Sequence, residues 1–411
     1  MAEETLVLFK NIRNPKYSKS LEGYKKAGGY HTLKKVFGMK PEEVVQTVKD
    51  SGVRGRGGAG FPTGLKWSFM PKGTGKPSYL IANADESEPG TCKDRELMLK
   101  DPHLFLEGMM IGCYAVGCHH GYIYIRGEFF PAIKSLNTAV EELYADGLLG
   151  PDPLGSGFHL DLTIHSGAGA YICGEESAMI ESIEGKKGMP RLRPPFVAQV
   201  GLFGRPTLSH NMETLYWVRD IVEKGADWFT SHGRHGRKGL RSFSVSGRIK
   251  NPGVHLAPAG ITVNELIEEY AGGMLDGHTF YAYFPGGASG GILPSSMGDI
   301  PLDFDTLDDY DSFIGSAAIM ILSNHDTAVQ AASNTMDFFL HESCGKCTPC
   351  RVGTSKASVL MKETNWNIPL LSDLAQVMTD ASICGLGQAA SNPLKSVIKY
   401  FPKELKNDSK S

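Results

Sequence analysis

The sequence predicts a multidomain protein of α/β and α+β class, and three observations predict it. Apolar strand-like segments alternate with helical ones between residues 78 and 165. Short strands interleaved with one helix follow from about residue 241, and after Asn324 apolar side chains recur at helical spacing only. A chain of 411 residues, 41% of them hydrophobic, has room for two or three cores.

The elements follow in order. Residues 40–52 open with proline and two acids, carry apolar side chains at helical spacing and stop at glycine, which predicts a short helix. Strands are expected at 78–82, 121–125 and 159–165, with helices around 94–118 and 131–147 between them, the pattern of a layered α/β domain. Segments 241–249, 260–270 and 279–284 suit a small α+β domain of β-grasp character. Ala328, Ala331, Ala332, Met336 and Phe339 share one helical stripe, and further helices are expected near 353–363, 368–381 and 390–401, with the intervening cysteines in loops of a helical bundle. These changes of pattern divide the chain into a helical segment with a glycine-rich loop (1–63), an α/β domain (64–235), the α+β domain (236–325) and the bundle (326–411). Repeats, low-complexity tracts and heptads are absent.

Composition excludes some functions. A formal net charge of −3 argues against nucleic-acid binding, which needs a basic face to neutralise phosphates. The basic run from Gly233 to Arg241 reads as a solvated loop or a subunit contact. The first ten residues lack the apolar centre of a signal peptide, and no apolar run approaches the ~20 residues that span a bilayer, so a cytoplasmic protein without membrane insertion is expected. Eight cysteines fit a reducing compartment.

The most specific signal is Cys344, Cys347 and Cys350, two residues apart, with Cys384 following at a distance. Three closely spaced thiolates and a remote fourth suit a [4Fe-4S] cluster. Structural zinc more often takes its thiolates as two pairs, and free or disulfide-bonded thiols are the third reading. A cluster implies an electron donor elsewhere in the chain.

Three other stretches are candidates for that donor. Residues 54–62 are glycine-rich and contain Gly55, Gly57 and Gly60 at dinucleotide-fingerprint spacing, but a helix rather than a strand precedes them. The backbone there can approach a phosphorylated or flat ligand, with Arg54, Arg56 and Lys66 as charges and Phe61 and Phe69 as stacking rings; a mobile surface loop is the equal alternative. Asn83, Asp85, Glu86 and Glu88 follow directly on the strand at 78–82, where α/β sheets bind ligands, although an acidic capping turn would look the same. Finally, residues 166–176 run from a strand through glycines and Tyr171 to a helix opening near Gly174, with Glu175 and Glu176 suited to sugar hydroxyls. Three such loops exceed the needs of one mononucleotide, so a flavin together with a nicotinamide is expected.

Taken together, the strings at 54–67, 83–91, 167–176 and 342–351 resemble the NADH-oxidising flavoprotein subunit of respiratory complex I, a module shared with soluble NAD-dependent formate dehydrogenases, where it is the beta (diaphorase) subunit, and with NAD-reducing hydrogenases. The resemblance covers nearly the whole chain. It implies a Rossmann-like domain in which FMN lies among Gly55, Arg56, Gly57, Lys66, Asn83, Asp85, Glu86, Tyr171, Gly174, Glu175, Asn211 and Thr214. It implies that NADH stacks on the flavin near Glu88 and Glu176, with adenine between Phe61 and Phe69 and Arg193 nearby, and that Cys344, Cys347, Cys350 and Cys384 hold the cluster, on a four-helix bundle. Glu88, beside the flavin ring, is the residue expected to act on the chemistry.

The chain also departs from the complex I pattern. His210 stands where paired asparagines are usual, which leaves its contact open, and the segments 176–184, 286–294 and 300–307 look more like the formate dehydrogenase version, whereas 5–117 look like complex I. No thioredoxin-like [2Fe-2S] extension precedes the module, so a separate small [2Fe-2S] thioredoxin-like subunit is the expected neighbour, with a larger iron-sulfur subunit accepting electrons and holding the chain peripherally at the inner membrane. The function expected is hydride transfer from NADH to FMN followed by single-electron transfer outward in NADH:quinone oxidoreductase. The alternatives are the diaphorase subunit of a formate dehydrogenase or hydrogenase and, more distantly, a non-catalytic scaffold of the same fold.

Overall fold

The structure, a computed structural model, describes residues 6–73 and 75–405. The start of the N-terminal stretch read against a signal peptide and the end of the last predicted segment lie outside the described residues.

Four parallel strands form the first sheet: β1 (Tyr79–Ala84), β2 (His120–Ile125), β3 (Asp161–Ser166) and β4 (Thr207–Asn211), in the order β3-β2-β1-β4. The chain winds from β1 outward to β3 and then returns to the opposite side of β1. The switch point, where such sheets bind ligands, therefore lies between β1 and β4, and the register sets Asn83 beside Asn211 there. β4 escapes a reading by pattern because Thr-Leu-Ser-His-Asn has no apolar run; pairing with β1 makes it a strand.

On one face, Leu80, Ala82, Ile123 and Leu208 join the largest core. Helices Pro102–Val116 and Met212–Lys224 pack there in backbone contact, since a Cβ on Gly108 would lie 2.0 Å from the Leu215 carbonyl oxygen. The same core takes Leu33, Val44 and Val48 from the N-terminal helices, so that segment is welded to the sheet. The helix expected over 94–118 is two, Lys93–Lys100 and Pro102–Val116: proline has no N–H to continue the first, and Asp101 before it leaves helical geometry at φ −144°, ψ 63°. On the other face, Ile81 and Tyr124 pack with Ile172, Met179, Phe339 and Cys350.

A second, mixed sheet follows: β5 (Leu240–Gly247), β6 (Gly253–Pro258), β7 (Phe280–Phe284), β8 (Leu293–Pro294) and β9 (Ala318–Ser323), in the order β6-β5-β9-β7-β8. β5 runs parallel to β9 and antiparallel to β6. The basic run before it is knitted inward: Arg234 is bidentate to Glu269 at 2.7 and 2.8 Å, Arg237 Nε donates to Asp303 at 2.8 Å, and Arg241 is buried.

Helices Ala328–Glu342, Thr348–Leu360, Ile368–Ala381 and Asn392–Tyr400 then pack through Ala332, Met336, Ala357, Leu371, Met378 and Leu394 onto Ala282 and Phe284 of the second sheet. The second of these starts five residues earlier than its apolar pattern suggests, because Pro349 fits a first helical turn. Among the described residues no helix is long and apolar enough to cross a membrane.

Candidate functional site

A cavity of about 760 Å³ lies where the two sheets and the C-terminal helices meet. Gly57, Asn83, Asp85, Glu86, Glu88, Tyr171, Gly174, Glu175 and Asn211, all expected at the site from the sequence, line it, together with Arg56. It also reaches Gly385 and Leu386, directly after Cys384.

The walls are set by strand ends and helix starts. Asn83, at the end of β1, donates from Nδ2 to the Gly174 carbonyl at 2.8 Å and accepts the Asp85 N–H at 3.1 Å, tying two loops together. Asp85 accepts from Ser87 through Oδ1, while its buried Oδ2 has no partner; burial pushes its carboxyl up to about 7. Asn211 caps helix Met212–Lys224 by accepting the Glu213 N–H at 3.0 Å, and its Nδ2 donates to Asp94 at 2.7 Å. The glycine-rich loop rests on this residue: a Cβ on Gly57 would come within 2.9 Å of Asn211 Cβ. Gly55 donates to the Phe61 carbonyl at 2.9 Å and closes the loop on itself.

Several predicted ligand contacts are engaged elsewhere. Glu86 accepts the N–H groups of Asp94 and Arg95 at 2.7 and 2.9 Å, so its carboxylate caps helix Lys93–Lys100; burial and the neighbouring Asp94 push its pKa up to about 8. Glu175 does the same for helix Glu176–Ile183, accepting from Ser177 and Ala178 at 3.0 and 2.9 Å. Arg56 buries its guanidinium and donates to the Leu240 carbonyl at 2.8 Å, while its N–H donates to the Thr214 hydroxyl at 2.9 Å. Lys66 donates to Glu176 at 3.0 Å and to the Ser209 carbonyl at 2.8 Å, and Arg193 bridges Glu175 and Glu176. Phe61 and Phe69 are exposed, their ring centroids 6.0 Å apart and tilted by 52°. His210 points away from the cavity and accepts the Trp67 indole N–H at 2.8 Å; burial holds its imidazole well below the usual range.

Other residues at the site carried no motif. Lys93, 1% exposed, lies 3.0 Å from Asp94 and 3.1 Å from Glu213; burial opposes its charge, but the carboxylates around it outweigh burial and raise its pKa. Ser289 donates its N–H to Glu88 at 2.8 Å. Only the run of charges at 93–95 within an apolar neighbourhood could have flagged the first; nothing local marks the second.

Of the cysteines, Cys350 is buried, Cys344, Cys347 and Cys384 are partly so, and all four belong to one apolar cluster. The expectation that they sit in loops is corrected for Cys350, which lies in the first turn of Thr348–Leu360, with Cys347 and Cys384 immediately before helices. Gly387 fits against Cys350, where an added Cβ would be 2.9 Å from the cysteine Cβ. Among the described residues no three His, Cys, Asp or Glu groups close on a single metal ion.

Comparison with known proteins decides the family. The F subunit of NADH-quinone oxidoreductase from Streptomyces coelicolor is 45% identical over 391 residues, spanning 94% of this chain and 87% of that protein. The chain belongs to the family of NADH-quinone oxidoreductase F subunits. A second F subunit, that numbered 2 in Rhizobium meliloti, is 44% identical over 97% of the chain and 96% of its own length. The family model described as the Nuo51 FMN-binding domain matches residues 48–220, and that of the NADH-ubiquinone oxidoreductase-F iron-sulfur binding region matches 330–408. A crystal structure of an NAD+-reducing [NiFe]-hydrogenase in the H2-reduced state superposes with a TM-score of 0.81 at 34% identity; it covers 92% of this chain, which spans 64% of the hydrogenase chain.

The cofactors of this family, FMN and a [4Fe-4S] cluster, fit the residues present. The unpaired buried Asp85 Oδ2 offers an acceptor to a ring N–H, and Gly57 and Gly174 leave room where a side chain would meet Asn211 or Asp85. Four thiols gathered on one apolar patch are a cluster's donor set.

Proposed function

We propose that the chain oxidises NADH at this cavity and passes single electrons through the four-cysteine site to iron-sulfur partners, as the flavoprotein subunit of an NADH:quinone oxidoreductase. The observation that carries the proposal is the continuity of the cavity from the β1–β4 switch point to Gly385 and Leu386, the residues that directly follow Cys384. FMN, when bound, supplies the ability to accept a hydride and release electrons one at a time.

The protein's part is binding and orientation. Gly57, Asn83, Asp85, Tyr171, Gly174 and Asn211 frame the flavin site. Gly55 and Thr214 do not line it and instead hold the glycine-rich loop, through the Phe61 carbonyl and the Arg56 N–H, while Glu86, Glu175 and Arg56 hold its walls through helix caps and the Leu240 carbonyl. Phe61 and Phe69 take the adenine, and Lys66, Glu176 and Arg193 form the ionic rim beside it. Glu88 keeps a carboxylate near the reacting rings, fixed by Tyr171 and Ser289. Cys344, Cys347, Cys350 and Cys384 hold the [4Fe-4S] cluster.

In this reading the parallel sheet is a Rossmann-like FMN/NADH domain, the second sheet a β-grasp unit and the C-terminal helices a four-helix bundle. The partners are a small thioredoxin-like [2Fe-2S] subunit and a larger iron-sulfur subunit, with the chain in the cytoplasm at the inner membrane. A second reading, the diaphorase subunit of a hydrogenase or formate dehydrogenase, is favoured by the hydrogenase superposition.

Reconstitution with FMN, iron and sulfide tests the proposal: flavin and cluster absorbance with NADH-dependent ferricyanide reduction are expected, and absence of all three overturns it. Quinone, H2 or formate as the redox partner of the purified complex separates the two readings.

A further inference from the structure

We propose that Arg54 binds the pyrophosphate of NAD(H), and that Asp305 occupies its guanidinium until the dinucleotide arrives. This rests on reading the cavity as a flavin and nicotinamide site. The segment responsible is 300–307, set apart in the sequence and not otherwise used by the function.

The segment lies across the glycine-rich loop. A Cβ on Gly60 would meet the Phe304 ring at 2.4 Å, and that ring carries Arg54 at 4.5 Å and Arg241 at 4.2 Å from its centroid. Arg54 Nε donates to the Gly60 carbonyl, which fixes the guanidinium plane. Its two outer nitrogens face the two oxygens of Asp305, Nη2 to Oδ1 at 3.0 Å. That two-pronged grip is the geometry by which arginine holds either a carboxylate or a phosphate.

Three cations line the cavity among the described residues, and they differ in what holds them. Arg56 is turned inward to the Leu240 carbonyl, and Lys93 is enclosed by Asp94 and Glu213. Arg54 alone is paired with a carboxylate open to solvent: the Asp305 side chain is 60% exposed, that of Arg54 29%. Solvent-exposed ion pairs of that kind are weak, and an incoming dianion can displace them.

Position selects the ligand. Arg54 and Asp305 line the same cavity as Gly57 and Glu88, and Gly60, which Arg54 bonds, precedes Phe61 of the exposed ring pair. A dinucleotide with adenine on those rings and nicotinamide near Glu88 carries its pyrophosphate past Arg54.

The test uses the full-length FMN-loaded protein and calorimetric titration of ADP-ribose, which contains the pyrophosphate, against adenosine, which does not. Asp305→Asn, at an exposed side chain on left-handed backbone (φ 69°) that asparagine adopts readily, is expected to tighten ADP-ribose about two- to fivefold. Arg54→Gln is expected to weaken it about tenfold to a hundredfold in the molecules that carry FMN, while their adenosine binding stays unchanged. In the double variant the gain from Asp305→Asn should vanish, because its target is gone. Unchanged ADP-ribose affinity in both single variants overturns the proposal, as does a gain that persists without Arg54. A wild-type protein that holds FMN but binds neither NADH nor ADP-ribose overturns the cavity reading itself, and this proposal with it.

Discussion

The Tyr171 hydroxyl donates to Glu88 Oε2 at 2.6 Å and thereby joins the loop after β1 to the wall in front of the cysteine helices. The same tyrosine donates its N–H to Glu342, two residues before Cys344, at 3.1 Å, and packs edge-on against Phe338 with centroids 5.1 Å apart. One residue therefore links Glu88 on the cavity wall to the helix that precedes the cysteines.

Glu88 is partly buried, and burial raises its pKa, so its charge is already disfavoured, and in the proposed reading a negatively charged reduced ring nearby disfavours it further. Glu88→Gln should raise the flavin midpoint potential by on the order of 30 mV, equivalent to about 1.4 kcal/mol for two electrons, or change nucleotide affinity. Spectroelectrochemical titration checks the first and NADH titration the second; no change in either removes Glu88 from the chemistry.

Asp85 predicts a pH dependence. Its folded pKa of about 7 lies above the ordinary 3.8, so the folded state binds the extra proton. Its contribution to stability is present in full below about pH 4 and is lost as pH rises through 7. Flavin-free protein should melt at a lower temperature at pH 8 than at pH 5.5 through this group, and Asp85→Asn should flatten that slope while weakening FMN binding. Calorimetric melting across the range is the check.

His210 acts in the opposite sense. Burial holds it neutral in the fold, whereas the unfolded chain takes up a proton below about pH 6.5, so its contribution is present above that value and lost as pH falls below it. His210→Ala strands the buried Trp67 N–H and should cost about 1–3 kcal/mol by denaturant titration. FMN affinity should change little, because the imidazole faces the helices.

Replacing Cys350 or Cys384 with serine should remove the cluster's visible absorbance and bound iron, because each lies on a different helix start and no other cysteine shares its position. FMN should remain, since Gly57, Asn83 and Asn211 belong to the first sheet and the loop resting on it. NADH-dependent ferricyanide reduction should persist while transfer to iron-sulfur partners stops. Iron analysis alongside flavin fluorescence separates this outcome from simple misfolding, which would lose both.

Much of this was legible from local spacing. The cysteine spacing points to an iron-sulfur cluster and the glycine-bearing loops to nucleotide binding, because thiolate ligation and close backbone approach each demand particular residues at particular intervals. The resemblance of the motifs, not their spacing, narrows the nucleotide to FMN. β4 was not legible, since its polar sequence becomes a strand only beside β1.

Nor could the sequence tell which carboxylates face a ligand and which are taken. Glu86 and Glu88 are two residues apart in one acidic turn, yet one caps helix Lys93–Lys100 and the other meets Tyr171 and Ser289, 83 and 201 residues away. Arg54 and Arg56 divide in the same way, between Asp305 at the cavity lip and the Leu240 carbonyl inside. A polar group's chemistry is a property of its residue type, and the sequence determines it. The group's partner depends on which helix start, strand edge or loop long-range packing brings within about 3 Å, and the tertiary structure alone decides that.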